Sequence, residues 1–378
     1  MGGPDLAFRT LELREVALPL VRPFRTSFGE EREKRAILVR VVLSGTDGDV
    51  EGWGECVASL DPLYSEEWLE GSWLVLRDYL GPAILRGETL THPSDVESRL
   101  GPIRGHPMAK AAVVAAVVDA WLRALDESLF EFLGGVRDRI LCGVSVGIAP
   151  TVETLLEEIH GYLERGYRRI KLKIEPGRDL AVVREVRAAL PETPLSVDAN
   201  AAYDLSSVSL FEALDELDLL MIEQPLGHDD FLDHARLQHR LRTPICLDES
   251  IRSEHDAAMA IQLGSCRVIN IKAGRVGGLL EAKRVHDVAS KSDVPVWIGG
   301  MLETGVGRAP NLALAALPGV RFPGDTSASD RYFAEDLTEP FVLAPDGTMA
   351  VPTRPGIGVE PRPDRLAACT TRVETVLS

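Results

Sequence analysis

Short apolar segments alternate with helical segments along the sequence from Cys142 to Asp325. Repeated strand-then-helix units with short connections predict a parallel sheet covered by helices. Eight such units predict an α/β fold of the (β/α)8, TIM-like barrel type, which we assign to residues 139–330. The eight predicted strands are CGVSVGI, RRIKLKI, PLSVDAN, LLMIEQP, PICLDES, RVINIKAG, VPVWIGG and VRFPGD.

The sequence before this repeat follows a different pattern. Residues 6–56 contain alternating apolar segments that are typical of strands. They are separated by RPFRTSFGEERE, which we interpret as a polar loop carrying Phe24. We therefore predict an α+β capping domain at residues 1–138. Helical patterns follow the strands at about 65–80, 108–126 and 128–134.

The strand–helix repeat stops after Asp330. The segment EPFVLAPDGTMAVPTRPGIGVEP has the pattern of a strand, a turn and a proline-rich chain. No low-complexity linker separates it from the rest of the sequence. We predict that residues 331–378 return to the capping domain and pack against it.

Composition disfavours several functional classes. The 378-residue chain has a formal net charge of −17, which repels phosphates, so we expect no nucleic-acid partner. The N terminus has no basic region followed by an apolar one, and no apolar stretch is long enough to span a bilayer. The five cysteines are scattered without a CxxC pair, which is typical of reduced thiols in a cytoplasmic protein.

Ionisable residues end five consecutive predicted strands at a nearly constant interval. Lys173, Asp198, Glu223, Asp248 and Lys272 are separated by 25, 25, 25 and 24 residues. A helix N-cap would explain one Asp after a strand, but capping does not require lysine or glutamate in the same register. Because active sites of such barrels lie at the carboxyl ends of the strands, the register predicts a catalytic site.

Three neighbouring strands carry the carboxylates of Asp198, Glu223 and Asp248, which are therefore expected to converge. Carboxylates so close together repel one another unless a cation compensates them. Hard oxygen ligands suit Mg²⁺ or Mn²⁺, with water and substrate completing an octahedron. Zinc is disfavoured because no histidine or cysteine shares the register.

Residues 168–176, RRIKLKIEP, alternate as a strand does and place Lys171 and Lys173 on one side. A solvated strand face would explain both lysines, but the flanking pattern predicts a strand buried on both faces. Two residues along a strand are roughly 6.7 Å apart. Two ammonium groups at that distance repel by about 2.5 kcal/mol at an effective dielectric constant of about 20. This repulsion favours a neutral amine at Lys173, the form that a general base requires.

The charge of the predicted site indicates its substrate. Three carboxylates, three lysines and one divalent metal ion sum to +2, or to +1 when Lys173 is neutral. Such a site favours an anion that carries a carboxylate. The metal is then expected to hold this carboxylate while a lysine removes the proton from the adjacent carbon. The resulting enediolate is stabilised by the metal and by the opposite lysine.

These motifs, taken in order, resemble those of the enolase superfamily and in particular its muconate-lactonising subgroup. The motifs are KLK at 171–173, DAN at 198–200, EQP at 223–225, DES at 248–250 and Lys272. The segments PFRTSFG, GWGEC, PLYS, GRVGG, GGMLETG and PGDTSASDR resemble the branch of o-succinylbenzoate synthases that also racemise N-succinylamino acids. The resemblance covers nearly the whole chain and implies a modified (β/α)7β barrel with a cap.

The resemblance also implies roles for single residues. Lys173 is expected to be the base of a dehydration in menaquinone biosynthesis and to return the proton to the leaving hydroxyl, while Lys171 tunes it. Lys272 is expected to stabilise the enediolate, or to act as the opposite base in a racemisation. The expected Mg²⁺ ligands are Asp198, Glu223 and Asp248, supported by Asn200, Glu249 and Arg275. The residues expected to contact a small dicarboxylate are Phe24, Ser145, Gly300, Met301 and Leu302.

Related activities stay open at this point. A dedicated N-acylamino acid racemase, a cycloisomerase and a dipeptide epimerase share the implied architecture. Dipeptide epimerases carry Asp-x-Asp after the eighth strand, whereas here Thr326 and Ser327 follow Asp325. A non-catalytic relative that binds an anion is disfavoured because both lysines and all three carboxylates are present.

Two residues depart from the pattern of the branch. Ala273 stands where proline is usual, and Ser59 in the cap loop is smaller than expected; both bear on which substrate fits. Arg275 is retained, and in this branch an arginine there accompanies racemase ability. The resemblance also implies a homo-oligomer.

Overall fold

The first three strands belong to one antiparallel sheet, which the last strand of the chain completes. The structure is a computed structural model. It describes residues 5–27, 29–46, 48–86 and 89–376. The three strands are β1 (Ala7–Thr26), β2 (Gly29–Gly45) and β3 (Gly48–Cys56).

β1 and β2 form a long hairpin that includes the segment predicted to be a polar loop. Phe24 pairs with Glu31 and Arg25 with Glu30, so that prediction was wrong. Backbone pairing keeps this polar segment in the sheet, and the side chain of Arg25 lies 3.4 Å from Glu175 of the barrel. The hairpin also contacts the barrel, where the amide of Ile148 donates to the carbonyl oxygen of Arg25 at 3.1 Å.

Helices follow β3 at the three places that the sequence predicts, and two further helices, at 81–85 and 94–100, were not predicted. The longest of these packs on β3 so closely that Cβ atoms added at Gly52 and Gly54 would lie 2.0 Å from its backbone carbonyl oxygens, which requires glycine. None of the helices in the described residues is long and apolar enough to cross a membrane. The helices are α1 (Leu69–Val75, continued by a π-helical turn at Leu76–Leu80), α2 (Gly81–Leu85), α3 (Ser94–Leu100), α4 (Pro107–Ala124) and α5 (Leu129–Leu133).

A seven-stranded parallel sheet follows the short strand β4 (Arg139–Leu141). Its strands are neighbours in the order in which they occur in the sequence. All their residues except Lys173 are buried, as expected for strands covered on both faces. The strands are β5 (Val144–Val146), β6 (Ile170–Lys173), β7 (Leu195–Asp198), β8 (Ile222–Glu223), β9 (Ile245–Leu247), β10 (Val268–Ile271) and β11 (Val296–Ile298).

Helices alternate with these strands, as the sequence predicts. In the first of them Leu155, Ile159 and Tyr162 are buried, which is the spacing of one helix face. The helices are α6 (Val152–Glu164), α7 (Leu180–Ala189), α8 (Val208–Leu214), α9 (Leu232–Arg240), α10 (Glu254–Leu263), α11 (Ala273–Val276), α12 (Leu279–Lys291) and α13 (Gly305–Ala315).

The eighth predicted strand, VRFPGD, is not a regular strand. It forms isolated parallel bridges from Val320 to Val296 and from Gly324 to Cys142. Pro323 interrupts it because proline supplies no N–H to a ladder. These bridges connect both edges of the seven-stranded sheet, so the fold is the expected modified barrel.

The C-terminal segment contacts both parts of the chain. Its first strand, β12 (Thr348–Ala350), pairs with β4. After α14 (Pro363–Cys369), the strand β13 (Thr370–Val376) pairs with β1 in the cap sheet. The domain boundaries at 138 and 330 stay predictions.

Candidate active site

The five residues of the register lie at the carboxyl ends of adjacent strands. Lys173, Asp198 and Glu223 end β6, β7 and β8, while Asp248 and Lys272 directly follow β9 and β10. The ladder places Lys173 opposite Asp198 and Asp198 opposite Glu223. All three carboxylate residues are fully buried. The regular interval in the sequence therefore becomes one row of charged groups.

Lys171 lies beneath this row and is surrounded by carboxylates. Its ammonium group lies 2.7 Å from Asp325, 2.9 Å from Glu223 and 3.1 Å from Asp198. Burial alone would lower its pKa, but these three carboxylates outweigh burial and hold the pKa of Lys171 above its ordinary value. Lys171 is therefore a fixed positive charge beside the next lysine of the strand.

Lys173 has fewer anionic partners. Its ammonium group lies 2.6 Å from Asp198 and donates to the amide oxygen of Asn200 at 2.7 Å. Burial is the largest influence and lowers the pKa of Lys173; Asp198 opposes burial, and Lys171 adds to the lowering. This lowering of the pKa of Lys173 agrees with the repulsion expected from the alternation of RRIKLKIEP, which places Lys171 and Lys173 on one side of the strand.

Lys272 approaches the row from the other side. Its ammonium group lies 2.8 Å from Asp248 and donates to the hydroxyl of Tyr64 at 3.2 Å. Burial opposes the charged form, but Tyr64 and Glu249 raise the pKa of Lys272 above its ordinary value. The guanidinium group of Arg275 also contacts Asp248 and is fixed by two backbone carbonyl oxygens.

Asn200 and Glu249 connect the Lys173 side of the row to its surroundings. Asn200 donates from its amide to Glu249 at 2.9 Å and from its backbone to Asp198 at 3.0 Å. Burial and the nearby Asp198 raise the pKa of Glu249. Asn200, Ala201 and Gln224 have φ angles of 43°, 60° and 37°. Such left-handed backbone is uncommon outside glycine and concentrates at functional sites.

The carboxylate row has the donor chemistry of a hard divalent cation. In the described arrangement, lysine and arginine cations contact the oxygens of Asp198, Glu223 and Asp248. Among the described residues, no three His, Cys, Asp or Glu side chains are grouped to hold a metal ion. Glu249 also has a buried carboxylate oxygen without a hydrogen-bond partner in the described chain. The residue types fit a metal, provided that the ammonium groups leave the oxygens they contact.

A cavity of about 370 Å³ opens onto the three lysines and Asn200. Residues of the hairpin, the loop after β3 and the barrel loops form its walls. Glu249 and Arg275 lie behind the carboxylates and line a neighbouring cavity of about 320 Å³. All five residues predicted to contact substrate line the larger cavity, namely Phe24, Ser145, Gly300, Met301 and Leu302.

Ala273 and Ser59, the two residues that depart from the expected pattern, lie in different parts of the structure. Ala273 is the first residue of α11, a position where proline is also favoured, so alanine preserves the helix start. Ser59 lines the larger cavity. Of the two, Ser59 is therefore the one that directly shapes the space for a substrate.

Three further side chains belong to the site and were not predicted. Asp325 lies in the irregular eighth segment, Tyr64 in the loop after β3, and Asn270 on β10, where its amide donates to Glu223 at 2.7 Å. Asn270 precedes Lys272 by two positions, the same spacing that joins the first two lysines, so the alternation of β10 was an available signal. Tyr64 had no comparable signal because its loop lies outside the repeat.

Two family models match separate parts of the chain. Residues 154–365 match the enolase C-terminal domain-like family, and residues 8–134 match the N-terminal domain of mandelate racemase and muconate lactonizing enzyme. The chain belongs to the enolase superfamily. Enolase-superfamily sites use a lysine or histidine base with divalent metal ions, so the family is one of metal-dependent enzymes.

Individual relatives within the superfamily are similar over nearly their full length. An N-succinylamino acid racemase from Amycolatopsis sp is 53% identical over 96% of this chain and 97% of the relative. An o-succinylbenzoate synthase from Geobacillus kaustophilus is 52% identical over 92% of both chains. The crystal structure of an enolase superfamily member from Listeria innocua superposes with a TM-score of 0.93 at 42% identity, covering 98% of this chain and 99% of the other.

Proposed function

We propose that this enolase-superfamily member is an o-succinylbenzoate synthase of menaquinone biosynthesis that also racemises N-succinylamino acids. The observation that carries this proposal is the placement of Lys173 and Lys272 on opposite sides of one buried carboxylate row, beneath one cavity. The similarity to one relative of each activity, at 52% and 53% identity, supports the same pair of reactions.

The proposed cofactor is Mg²⁺, for which Mn²⁺ can substitute, held by Asp198, Glu223 and Asp248. When bound, it neutralises the substrate carboxylate and so favours loss of the proton on the adjacent carbon. Asn270 holds Glu223, and Arg275 holds Asp248. Such supporting contacts orient metal ligands.

The proposed dehydration uses the two lysines differently. Lys173, as the neutral amine, takes the proton from the carbon next to the carboxylate, and the C–H electron pair moves into an enediolate. The ammonium group of Lys272 stabilises this negative charge. Lys173 then returns its proton to the hydroxyl on the neighbouring carbon, which leaves as water. The fixed charge of Lys171 favours the neutral form of Lys173 at the start of the cycle.

In the proposed racemisation the same groups act in turn. One lysine removes the α-proton, and the other delivers a proton to the opposite face. Phe24, Ser145 and the 300–302 segment would hold the substrate between the lysines, since all of them line the cavity. Both substrates are dicarboxylates, which suits the net positive charge expected for the metal-loaded site.

A dipeptide epimerase is a weaker alternative because of the state of Asp325. Its two oxygens contact the cations of Arg169 at 2.6 Å and Lys171 at 2.7 Å. A carboxylate already paired with two cations is a poor partner for a substrate ammonium group. Ser327 stands where such enzymes carry the second aspartate. The experiment described next distinguishes the proposed enzyme from a cycloisomerase and from a dedicated racemase.

The test is to incubate the Mg²⁺-loaded protein in D₂O with the cyclohexadiene precursor of o-succinylbenzoate and, separately, with both enantiomers of an N-succinylamino acid. We expect dehydration of the first and α-proton exchange from both enantiomers of the second. Dehydration without exchange would identify a dedicated synthase, and exchange without dehydration a dedicated racemase. Absence of both reactions in metal-loaded protein would contradict the proposed substrates.

Assembly and cellular location are part of the same proposal. We infer a homo-oligomer, in line with the exposed apolar side chains of Leu74 on α1 and Tyr79 on the π-helical turn that continues it; light scattering in solution tests this. We also infer a cytoplasmic enzyme, since all five cysteines are buried free thiols. Cell fractionation tests the location.

A further inference from the structure

A fourth lysine lines the cavity away from the carboxylate row. Lys34, on β2, is 3% exposed. Its ammonium group donates to the carbonyl oxygen of Met301 at 2.9 Å and to that of Val57 at 3.5 Å. The hydrogen bonds described for this lysine therefore go to backbone carbonyl oxygens, which are groups of fixed position. Burial raises the pKa of Glu55, and the positive charge of Lys34 opposes that rise.

The two carbonyls belong to two different segments that reach the cavity. Val57 begins the loop after β3, whose residues 59–61, 63 and 64 form the cap side of the wall. Met301 lies in the loop after β11, between Gly300 and Leu302, on the barrel side. One ammonium group thus joins the cap wall to the barrel wall, and it does so from a strand that belongs to neither loop.

The cap also holds the C-terminal end of the loop after β11. Glu55, on β3, accepts hydrogen bonds from the backbone and hydroxyl of Thr304 at 3.1 and 2.6 Å, and from the amide of Gly307 at 2.9 Å. This buried carboxylate lies at the N terminus of α13, where negative charge is favourable. Leu302, between the two contacts, has a φ of 57°, a conformation that its surroundings must maintain.

We propose that Lys34 is a positioning residue that fixes the loop 57–64 against the segment 300–304 and so determines how tightly the substrate is held. This inference rests on the proposed function. Lys34 contacts neither the three carboxylates nor the three other lysines in the described structure, so it acts on the walls and not on the proton transfer. Its loss leaves two buried carbonyl oxygens without this donor, a change that loosens both walls.

The variant Lys34→Met keeps an unbranched apolar side chain, one atom shorter, and removes its donors. We expect KM for both proposed substrates to rise about tenfold, because a hydrogen bond from a charged group is lost, while kcat changes less than about threefold. Lys34→Arg, which retains several donors, is expected to recover most of the wild-type KM. Lys110→Met is the matched control, because Lys110 also donates to a backbone carbonyl, that of Ile103, but does not line the cavity.

A direct contact with the distal carboxylate of the substrate is the competing role for Lys34. N-acetylamino acids lack that carboxylate, so a direct contact would confine the KM increase to N-succinylamino acids. Positioning predicts the same relative increase for both substrate types. An increase seen with the succinylated substrate alone would overturn the proposal, and so would a loss of kcat at constant KM.

Hydrogen exchange of the protein without substrate provides a readout independent of activity. We expect faster amide exchange in both 57–64 and 300–304 in Lys34→Met, and unchanged exchange there in Lys110→Met. Unchanged exchange in Lys34→Met would contradict the positioning role even if the proposed substrates were wrong. Should Lys34→Met fail to fold, the same expectations apply to Lys34→Gln, which has a polar donor but is too short to bridge both carbonyls.

Discussion

The two sides of the carboxylate row differ, although each carries a lysine. On one side Lys173 contacts Asp198 and a neutral amide, and a second ammonium group lies on the same strand. On the other side Lys272 contacts Asp248 and lies 4.8 Å from the ring centroid of Tyr64, which stabilises a cation. The pKa of Lys173 is lowered and that of Lys272 is raised.

This difference separates a proton acceptor from a fixed cation. A lysine with a lowered pKa accepts a proton more readily near neutral pH, and one with a raised pKa stabilises negative charge. The proposed dehydration needs one group of each kind. The proposed racemisation needs each lysine to serve as base in one direction, so the surroundings of Lys272 decide whether the second reaction accompanies the first.

The largest effect is expected for Lys173→Ala. Without the base, the dehydration rate falls about 10³-fold, while metal affinity persists because the three carboxylates remain. Steady-state rates with the synthase substrate and a Mn²⁺ titration measure the two properties. Lys283→Ala is the control, since Lys283 pairs with Asp287 along α12. Survival of activity in Lys173→Ala would show that the base lies elsewhere. It would also show that Lys173 and Lys272 do not have the separate roles of proton acceptor and fixed cation.

The Lys272→Ala variant tests the difference between the two sides through stereochemistry. We expect the dehydration rate to fall about 10²-fold, because charge stabilisation is lost. In D₂O, Lys272→Ala and Lys173→Ala should each retain α-proton exchange for one enantiomer of an N-succinylamino acid, and the retained enantiomers should be opposite. Proton NMR measures the exchange. Retention of the same enantiomer by both variants would contradict two bases on opposite faces.

The parts of this site that the sequence predicts share one property, which is regular spacing along the repeat. Asp198, Glu223 and Asp248 end strands of similar units, so a constant interval locates them. Contacts that join distant segments have no such interval. Tyr64 reaches Lys272 from a cap loop 208 residues away in sequence, and only the packing of cap on barrel brings the two together.

The prediction of the fold likewise succeeded in the regular repeat and failed outside it. Apolar periodicity predicts the seven buried strands because parallel strands are covered on both faces. It fails for the hairpin around Phe24, where a polar segment pairs through its backbone with the facing strand. It also fails for the segment near Pro323, where one missing N–H interrupts the predicted strand. In the hairpin the facing strand decides the outcome, whereas near Pro323 a single residue does.

The Arg275→Met variant tests whether the charge around Lys272 sets the balance of the two reactions. Arg275 and Lys272 share Asp248. Without the guanidinium group, the ammonium form of Lys272 is more strongly favoured and the amine becomes a poorer base. We expect racemisation to fall about tenfold more than dehydration. Arg275→Lys, which keeps the charge, should show a smaller difference, and equal loss of both activities would contradict the argument.

The smallest effect, with the opposite sign, is expected for Tyr64→Phe. This change removes the hydroxyl that accepts from Lys272 at 3.2 Å and retains the ring. Because a hydrogen bond to the ammonium form favours it, its loss lowers the pKa of Lys272. Exchange of the enantiomer assigned to Lys272 should then rise about threefold, while dehydration falls by a similar factor. The Tyr64 hydroxyl also donates to Asp248 at 3.4 Å. A change of both activities in the same direction would therefore mean that Tyr64 acts through the substrate or through Asp248 and not on the lysine, and the asymmetry between the two sides would need another cause.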